Sequence, residues 1–405
     1  MRIFHKILCF HVQDILWEVL IYLMQKGYCN MKKELELYIH IPFCVKKCEY
    51  CDFLSGSAGK QAQREYMEAL FREIDGTEKF EDYEVSTIFI GGGTPSVLPG
   101  EWIEELLEKV RNHFSLKTDG EISIEANPGT VDEDKLRSYR RAGIDRISFG
   151  CQSGDDRELK MLGRIHTWKE FLESFSLARA AGFSNINVDL MSGLPGQSLR
   201  SWEESLEKVA KLHPEHVSAY SLIIEEGTPF ALKELDLPDE EEERKMYEKT
   251  HEILEGFGYH QYEISNYGKP GKECRHNIGY WKRTEYLGLG LGSASLIGET
   301  RFHNTGKMEA YLANSGKVGE IREDREVLTR ENQMEEYMFL GLRMLEGVSE
   351  REFQEKFGTS LTNIYGNVIK KYIQMGLLEQ KEDRLFLTRR GISVSNPVLA
   401  DFLLD

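Results

Sequence analysis

The sequence predicts an α/β fold in two parts: a partial (β/α)6 barrel, followed by a small C-terminal α+β domain of winged-helix type. Three observations carry this reading. Six short apolar runs alternate with longer helix-periodic stretches, the pattern of βαβ units on a parallel sheet. Nearly every run ends in a segment of glycine, proline or carboxylate, as at the functional face of a (β/α) barrel. From residue 330 the pattern changes to helices followed by a hairpin.

The expected strands are residues 37–41, 87–90, 122–125, 146–149, 186–190 and 217–222, and amphipathic helices are expected at 64–74, 101–113, 132–142, 168–181 and 199–212. The first strand leads into His40-Ile41-Pro42-Phe43-Cys44, and the second ends in Gly91-Gly92-Gly93-Thr94-Pro95-Ser96. The third ends in Glu125-Ala126-Asn127-Pro128, and the fourth gives Gly150-Cys151-Gln152-Ser153. Asp189 and Gly193-Leu194-Pro195-Gly196-Gln197 follow the fifth, and Glu225-Glu226-Gly227-Thr228-Pro229 the sixth. Any one of these is ordinary loop punctuation. Six on one face mark a site.

The loop after the first strand holds Cys44, Cys48 and Cys51 in a C-x3-C-x2-C spacing. Three thiolates on one short loop can hold three corners of a four-iron, four-sulfur cube, leaving one iron open to a small molecule. A closed zinc site wants four protein ligands, and no C-x2-C or H-x3-H pair follows at the usual spacing. A chance cluster of surface thiols is the remaining reading.

Composition sets bounds on function. The net charge of −17 argues against a general nucleic-acid or anionic-membrane surface. Seven cysteines, an odd number without framework spacing, fit a reducing cytoplasm. Residues 15–24 are apolar apart from Glu18, short of the ~20 residues that span a bilayer, and no cleavage site follows. Met31 is the expected start, with residues 1–30 an erroneous extension. The expected domains are 31–300 for the barrel with its extension, 301–329 for a connector, and 330–405 for the winged-helix-like part.

The C-x3-C-x2-C loop resembles the signature of the radical S-adenosylmethionine (SAM) superfamily. That resemblance implies a [4Fe–4S] cluster on Cys44, Cys48 and Cys51, with SAM on the open iron and an electron donor that drives its cleavage to methionine and a 5′-deoxyadenosyl radical. It also implies that Gly91-Gly92-Gly93 and Thr94 hold the methionyl amino group, since glycine lets backbone approach a ligand closely. Glu125 and Asp189 can accept hydrogen bonds from an ammonium or from ribose hydroxyls. Gln152 and Arg164 suit ribose and carboxylate, a bidentate partner of arginine; a helix-capping charge is the other reading of Arg164. Tyr38 and Tyr50 are expected beside the cluster.

Tyr38-x-His40-Ile41-Pro42-Phe43-Cys44, the Gly91–Ser96 segment, Glu125-x-Asn127-Pro128 and Gly193-Leu194-Pro195-Gly196-Gln197 bring the resemblance closer. They are similar to the family of the oxygen-independent coproporphyrinogen III dehydrogenase and its haem-chaperone relative, over residues 35 to the C terminus. The dehydrogenase pattern carries a further cysteine where this chain has Phe53, so the resemblance implies the chaperone branch: haem as cargo, and an acceptor haemoprotein, membrane-associated ones included. Cys274-Arg275-His276-Asn277-Ile278-Gly279-Tyr280-Trp281 resembles the H-N-x-x-Y-W segment linked there to haem. It makes His276 the expected axial ligand, with Cys274 its rival; without the resemblance, a core histidine is the more common reading. The alternatives are a porphyrinogen-decarboxylating dehydrogenase and a structural metal-binding interaction protein.

In the C-terminal part, helices at 335–344, 349–357 and 361–375 precede a hairpin near 376–388. From 326 to 405 there are ten Lys and Arg against thirteen Asp and Glu, which makes this wing a poor reader of DNA and a better lid over the barrel mouth. The acidic run 239–243 is expected to open a helix, its charges solvated and favoured by the helix dipole.

Overall fold

A computed structural model describes residues 32–404; the proposed start at Met31 and the segment before it lie outside the described residues. The chain opens with strand β1 (Lys33–Ile41), then α1 (Lys60–Gly76), β2 (Tyr83–Gly92), α2 (Gly100–His113), β3 (Leu116–Ala126) and α3 (Glu133–Arg141). It continues through β4 (Arg146–Gln152), α4 (Asp156–Met161), α5 (Trp168–Ala180), β5 (Ile186–Ser192), α6 (Leu199–Ala210) and β6 (His216–Ser221). These six strands lie side by side in chain order and all run parallel. The partial (β/α)6 barrel is therefore present, with every expected strand in place.

Alternation along each strand separates two environments. On β1, Leu35, Leu37, Ile39 and Ile41 are fully buried against the helices, in one core that also takes Leu70, Leu106 and Trp202. The alternate residues face inward, where the barrel is polar: Glu36, Thr87, Ser123, Arg146, Asn187 and His216 are all buried there. Burial of such groups demands partners, and several of them find one another. His216 Nδ1 lies 2.6 Å from Asn187 Oδ1, and Asn187 Nδ2 donates to Asp189 at 2.7 Å.

Local chemistry starts the helices. Asp132 caps α3, and Thr167 with Glu170 forms a reciprocal capping box on α5. The acidic run does open a helix, α7 (Glu240–Gly256): Asp239 accepts from the Glu242 N–H, and four glutamates fill the first turn.

The sheet is larger than expected. β7 (His260–Gln261) and β8 (Asn266–Gly268) add antiparallel to the β6 edge. After helix α8 (Arg275–Trp281), strand β9 (Tyr286–Leu289) pairs parallel with β1 on its other side. Strands β10 (Ala294–Ile297), β11 (Thr300–Asn304) and β12 (Arg322–Val327) then continue antiparallel. The stretch 301–329, expected as a connector, thus supplies two sheet strands and the helices α9 (Met308–Asn314) and α10 (Val318–Ile321). This late layer is tied to α1 through Glu73, a fully buried carboxylate. It accepts from Asn304 Nδ2 (2.6 Å), the Tyr311 hydroxyl (2.5 Å) and the Gly290 N–H (2.8 Å).

The C-terminal part has its own core around Met338, Phe353, Tyr365 and Phe402. Helices α11 (Arg330–Gly341), α12 (Glu350–Phe357) and α13 (Leu361–Gln374) precede the hairpin β14–β15 (Leu378–Lys381, Arg384–Leu387), with β13 (Val348–Ser349) on β15. Helices α14 (Arg389–Ile392) and α15 (Ser395–Ala400) close the chain. Among the described residues no helix is long and apolar enough to cross a membrane.

Candidate functional site

The C-terminal ends of the six parallel strands surround a cavity of about 300 Å3. Ten of the eleven residues expected to hold cluster and SAM line it: Cys44, Cys48, Cys51, Tyr50, Gly93, Thr94, Glu125, Gln152, Arg164 and Asp189. The backbone explains the convergence. Gly93 N–H donates to Ile41 O (2.9 Å) and Thr94 N–H to Phe43 O (2.7 Å), which staples the glycine segment to the chain entering the cysteine loop. Only glycine fits there: a Cβ at residue 93 would lie 2.7 Å from Phe43 O and 2.8 Å from Ile41 O. The far side of the loop is held by Glu49, whose N–H donates to Leu162 O, and by the Lys233–Glu49 ion pair.

All three loop cysteines are free thiols and half-buried. Two receive hydrogen bonds. Arg164 Nη1 donates to Cys48 Sγ at 3.6 Å. Arg164 Nη2 donates to Asn127 Oδ1 (2.6 Å), Asn127 Nδ2 to Thr94 Oγ1 (2.9 Å), and the Thr94 hydroxyl to Cys44 Sγ (3.4 Å). One guanidinium therefore reaches two cysteine sulfurs, one directly and one through two side chains. Arg164 Nε is buried without a partner, an orphaned donor that suits a ligand carboxylate.

The cavity wall also carries buried acid. Glu125 accepts from the Gly92 N–H at 3.0 Å, and burial, then the charge of Asp189, pushes its carboxyl up to about 7. Burial raises Asp189 too, against hydrogen bonds from Asn187, Ser218 and Ser148. Gln152 sits at a φ of 70° and accepts from the Tyr220 hydroxyl at 3.0 Å. Burial raises the Tyr50 phenol above its usual range.

The structure does not bring Tyr38 or His276 to this cavity. Tyr38 points into the barrel below it, its hydroxyl 3.0 Å from His40 Nδ1 and its ring stacked against Phe89. His276, on α8, fills the barrel interior against Phe89, only 1% exposed. Its Nδ1 lies 2.7 Å from the Thr87 hydroxyl and its Nε2 3.2 Å from that of Tyr280. Burial, then the Arg146 charge, lowers its pKa to about 3. Both ring nitrogens of the expected haem ligand are thus occupied inside the barrel. Cys274, its rival, is fully buried, and burial raises its thiol to about 12.

Asn127, Tyr220 and Ser148 line the cavity and were not singled out from the sequence. Asn127 stood inside a quoted motif. Tyr220 could have been found as the inward residue of the sixth strand, two places before its polar end.

The donor set fits the groups implied by the motifs: three free thiols on one loop, backbone N–H groups on a glycine segment, two buried carboxylates and an arginine with an unused donor. Comparison with known proteins agrees. Residues 38–209 match the family model described as the Radical SAM superfamily, and residues 328–394 match the HemN C-terminal domain. The heme chaperone HemW of Bacillus subtilis (strain 168) is 41% identical over 372 residues, covering 90% of this chain and 98% of that protein. The heme chaperone HemW of Escherichia coli (strain K12) is 38% identical over 380 residues, covering 92% and 98%. The solved structure of coproporphyrinogen III oxidase (HemN) from Escherichia coli superposes with a TM-score of 0.81 at 24% identity, over 92% of this chain and 90% of that one, a likeness of fold. The chain belongs to the HemW family of radical SAM proteins.

Proposed function

We propose that this protein is a haem chaperone that holds a [4Fe–4S] cluster with SAM at the barrel mouth, carries haem, and hands it to an acceptor haemoprotein. The observation that supports the reading most is the convergence of three free thiols with Gly93, Thr94, Glu125, Gln152, Arg164 and Asp189 on one cavity, in a chain of the HemW family. Cys44, Cys48 and Cys51 would hold the cluster. Arg164 and Thr94 donate toward two of its sulfurs, and hydrogen bonds to such sulfurs tune a cluster's potential. Glu125 and Asp189 would take the SAM ammonium and ribose hydroxyls, Arg164 Nε its carboxylate, and Gln152, fixed by Tyr220, its ribose. Tyr50 closes the cavity beside Arg164. When bound, cluster and SAM would supply one-electron chemistry at the sulfonium.

Phe53 supports the chaperone over the dehydrogenase. It stands where the dehydrogenase pattern has a cysteine, and it is exposed at the cavity mouth. His276 can serve haem only if α8 leaves the barrel, because both of its ring nitrogens are bound within it.

Anaerobic reconstitution tests the first half: about four iron and four sulfide per chain, lost in Cys44→Ala, Cys48→Ala or Cys51→Ala, with a spectrum that SAM perturbs. Zinc without sulfide in anaerobically prepared protein would refute it. Haem titration tests the second half, through a saturable Soret band at one equivalent. Protoporphyrinogen formation by the reconstituted protein would instead make it the dehydrogenase.

A further inference from the structure

Asn127 lies between the arginine and the threonine of the cysteine cavity, and its own backbone is pinned on both sides. Its N–H donates to Ser96 Oγ (3.1 Å), and its carbonyl accepts from the Thr130 hydroxyl (2.7 Å) and the Thr130 N–H (3.1 Å). Pro128 follows, and a residue before proline is held toward extended backbone. Gly150 crowds the side chain from across the cavity: a Cβ there would lie 3.1 Å from Asn127 Oδ1 and 3.2 Å from Arg164 Nη2.

The neighbours decide which way round the amide lies. A guanidinium only donates, so the group that meets Arg164 Nη2 at 2.6 Å is the amide oxygen. Nδ2 then faces Thr94 Oγ1 at 2.9 Å, and an amide nitrogen also only donates. Thr94 has to accept there, which leaves its single proton for another partner. Thr94 is buried, and its hydroxyl reaches Cys44 Sγ at 3.4 Å. Each bond direction follows from the one before it, starting from a cation that stays charged.

We infer that Asn127 is a positioning residue of the cysteine site: it turns the Thr94 proton onto Cys44 Sγ and so extends the pull of Arg164 from Cys48 to a second sulfur. The inference rests on the cluster-and-SAM reading above and gives a part in it to a side chain that bonds to none of the three sulfurs. Hydrogen bonds in such a chain polarise one another, and bonds to ligand sulfurs tune a cluster's potential. An amide is the side chain this relay requires, since it accepts at one end and donates at the other. An aspartate of the same shape would keep the pairing with Arg164 and reverse the rest. Both of its oxygens accept, so Thr94 would give its proton to residue 127 and none to Cys44.

The test is a cycle of variants on the anaerobically reconstituted full chain, read as the reduction potential in a redox titration. Iron and sulfide analysis and melting curves would show that each variant loads and folds. In the wild-type background, Thr94→Val should disfavour reduction about fivefold, the worth of one ordinary hydrogen bond, which is roughly 40 mV for one electron. Asn127→Asp should disfavour it at least as much, because it withdraws the same proton and adds a negative charge. In the Asn127→Asp background, Thr94→Val should then be worth less than about twofold, since the hydroxyl has already left the sulfur. Asn127→Ala adds no charge and gives a second route. With no amide to direct the hydroxyl, Thr94→Val should again be worth less than about twofold. A side chain that only fills space would change melting and iron content without changing what Thr94→Val is worth. Thr94→Val costing about fivefold in all three backgrounds, or nothing in wild type, would overturn this role and leave the cluster reading standing. Wild-type protein that takes up no iron and sulfide would overturn the cluster reading itself.

Discussion

Gly93→Ala would place one methyl group among three backbone atoms: 2.7 Å from Phe43 O, 2.8 Å from Ile41 O and 2.9 Å from Phe43 N. None of these is the end of a flexible side chain, so the only relief is to move β2 away from the chain that enters the cysteine loop. Backbone strain does not enter, because Gly93 is not among the glycines with positive φ. Overpacking of this kind costs about 1–3 kcal/mol, and contact with backbone puts it at the upper end. At roughly 2 °C per kcal/mol for a large domain, melting of the apo protein should fall by about 4–6 °C. The bonds from Gly93 N–H to Ile41 O and from Thr94 N–H to Phe43 O would lengthen, so Cys44 should move and reconstituted iron should fall well below wild type. Gly56→Ala is the control: it lies in the same loop, pairs with Phe43, and has nothing within 4 Å of its would-be Cβ. Thermal melting with iron and sulfide analysis reads both variants. A Gly93→Ala protein that melts and loads iron like Gly56→Ala would refute the steric reasoning.

Thr94→Val removes the hydroxyl that donates to Cys44 Sγ and accepts from Asn127. If that bond favours the reduced cluster by ~1 kcal/mol, the midpoint potential should drop by roughly 40 mV, read by a redox titration that would show no change if the bond is idle. Glu125 is an acid whose folded pKa lies above its unfolded one, so its folded state holds the extra proton and stability from this group falls as pH rises from 4.5 to about 7. Glu125→Gln should therefore gain up to about 3 kcal/mol on wild-type apo protein above pH 7 and little at pH 4.5; parallel denaturation curves across this window would count against it. Asp239→Ala removes the cap on α7 and should cost about 1 kcal/mol in urea denaturation, with the cysteine cavity intact.

Much of the barrel could be read from sequence because its strands are buried on both faces and bounded by turn residues. Residues 37–41 and 186–190 carry an apolar, β-branched or leucine residue at every second position, and strands formed there. The cysteine cavity was legible for a different reason: its residues sit at strand ends, where chain order and barrel geometry together decide what meets. Tyr38 and His276 lie outside the cavity because neither follows that rule. Tyr38 is three residues below the strand end at Ile41, and inward alternation turns it into the barrel. His276 belongs to a helix that plugs the barrel, and a short motif carries no sign of which side of the sheet it will occupy. The strands β9 and β10 were hidden by their length, four residues each, and β12 by its polarity. β12 reads Arg-Glu-Asp-Arg-Glu-Val and is almost wholly exposed, so no apolar period marks it.

The position of β9 has a consequence for the order in which the protein is made. β1 emerges first from the ribosome, yet its second neighbour is residues 286–289. Until then one side of the strand that bears the cysteine loop is an unpaired edge, open to pairing with another chain. The same delay holds for Glu73, whose partners at Gly290, Asn304 and Tyr311 arrive more than two hundred residues after it. The nascent barrel therefore stays unsealed until some three hundred residues have been synthesised. Translation arrested before residue 286 would leave a product with all three loop cysteines and an adhesive flank beside them.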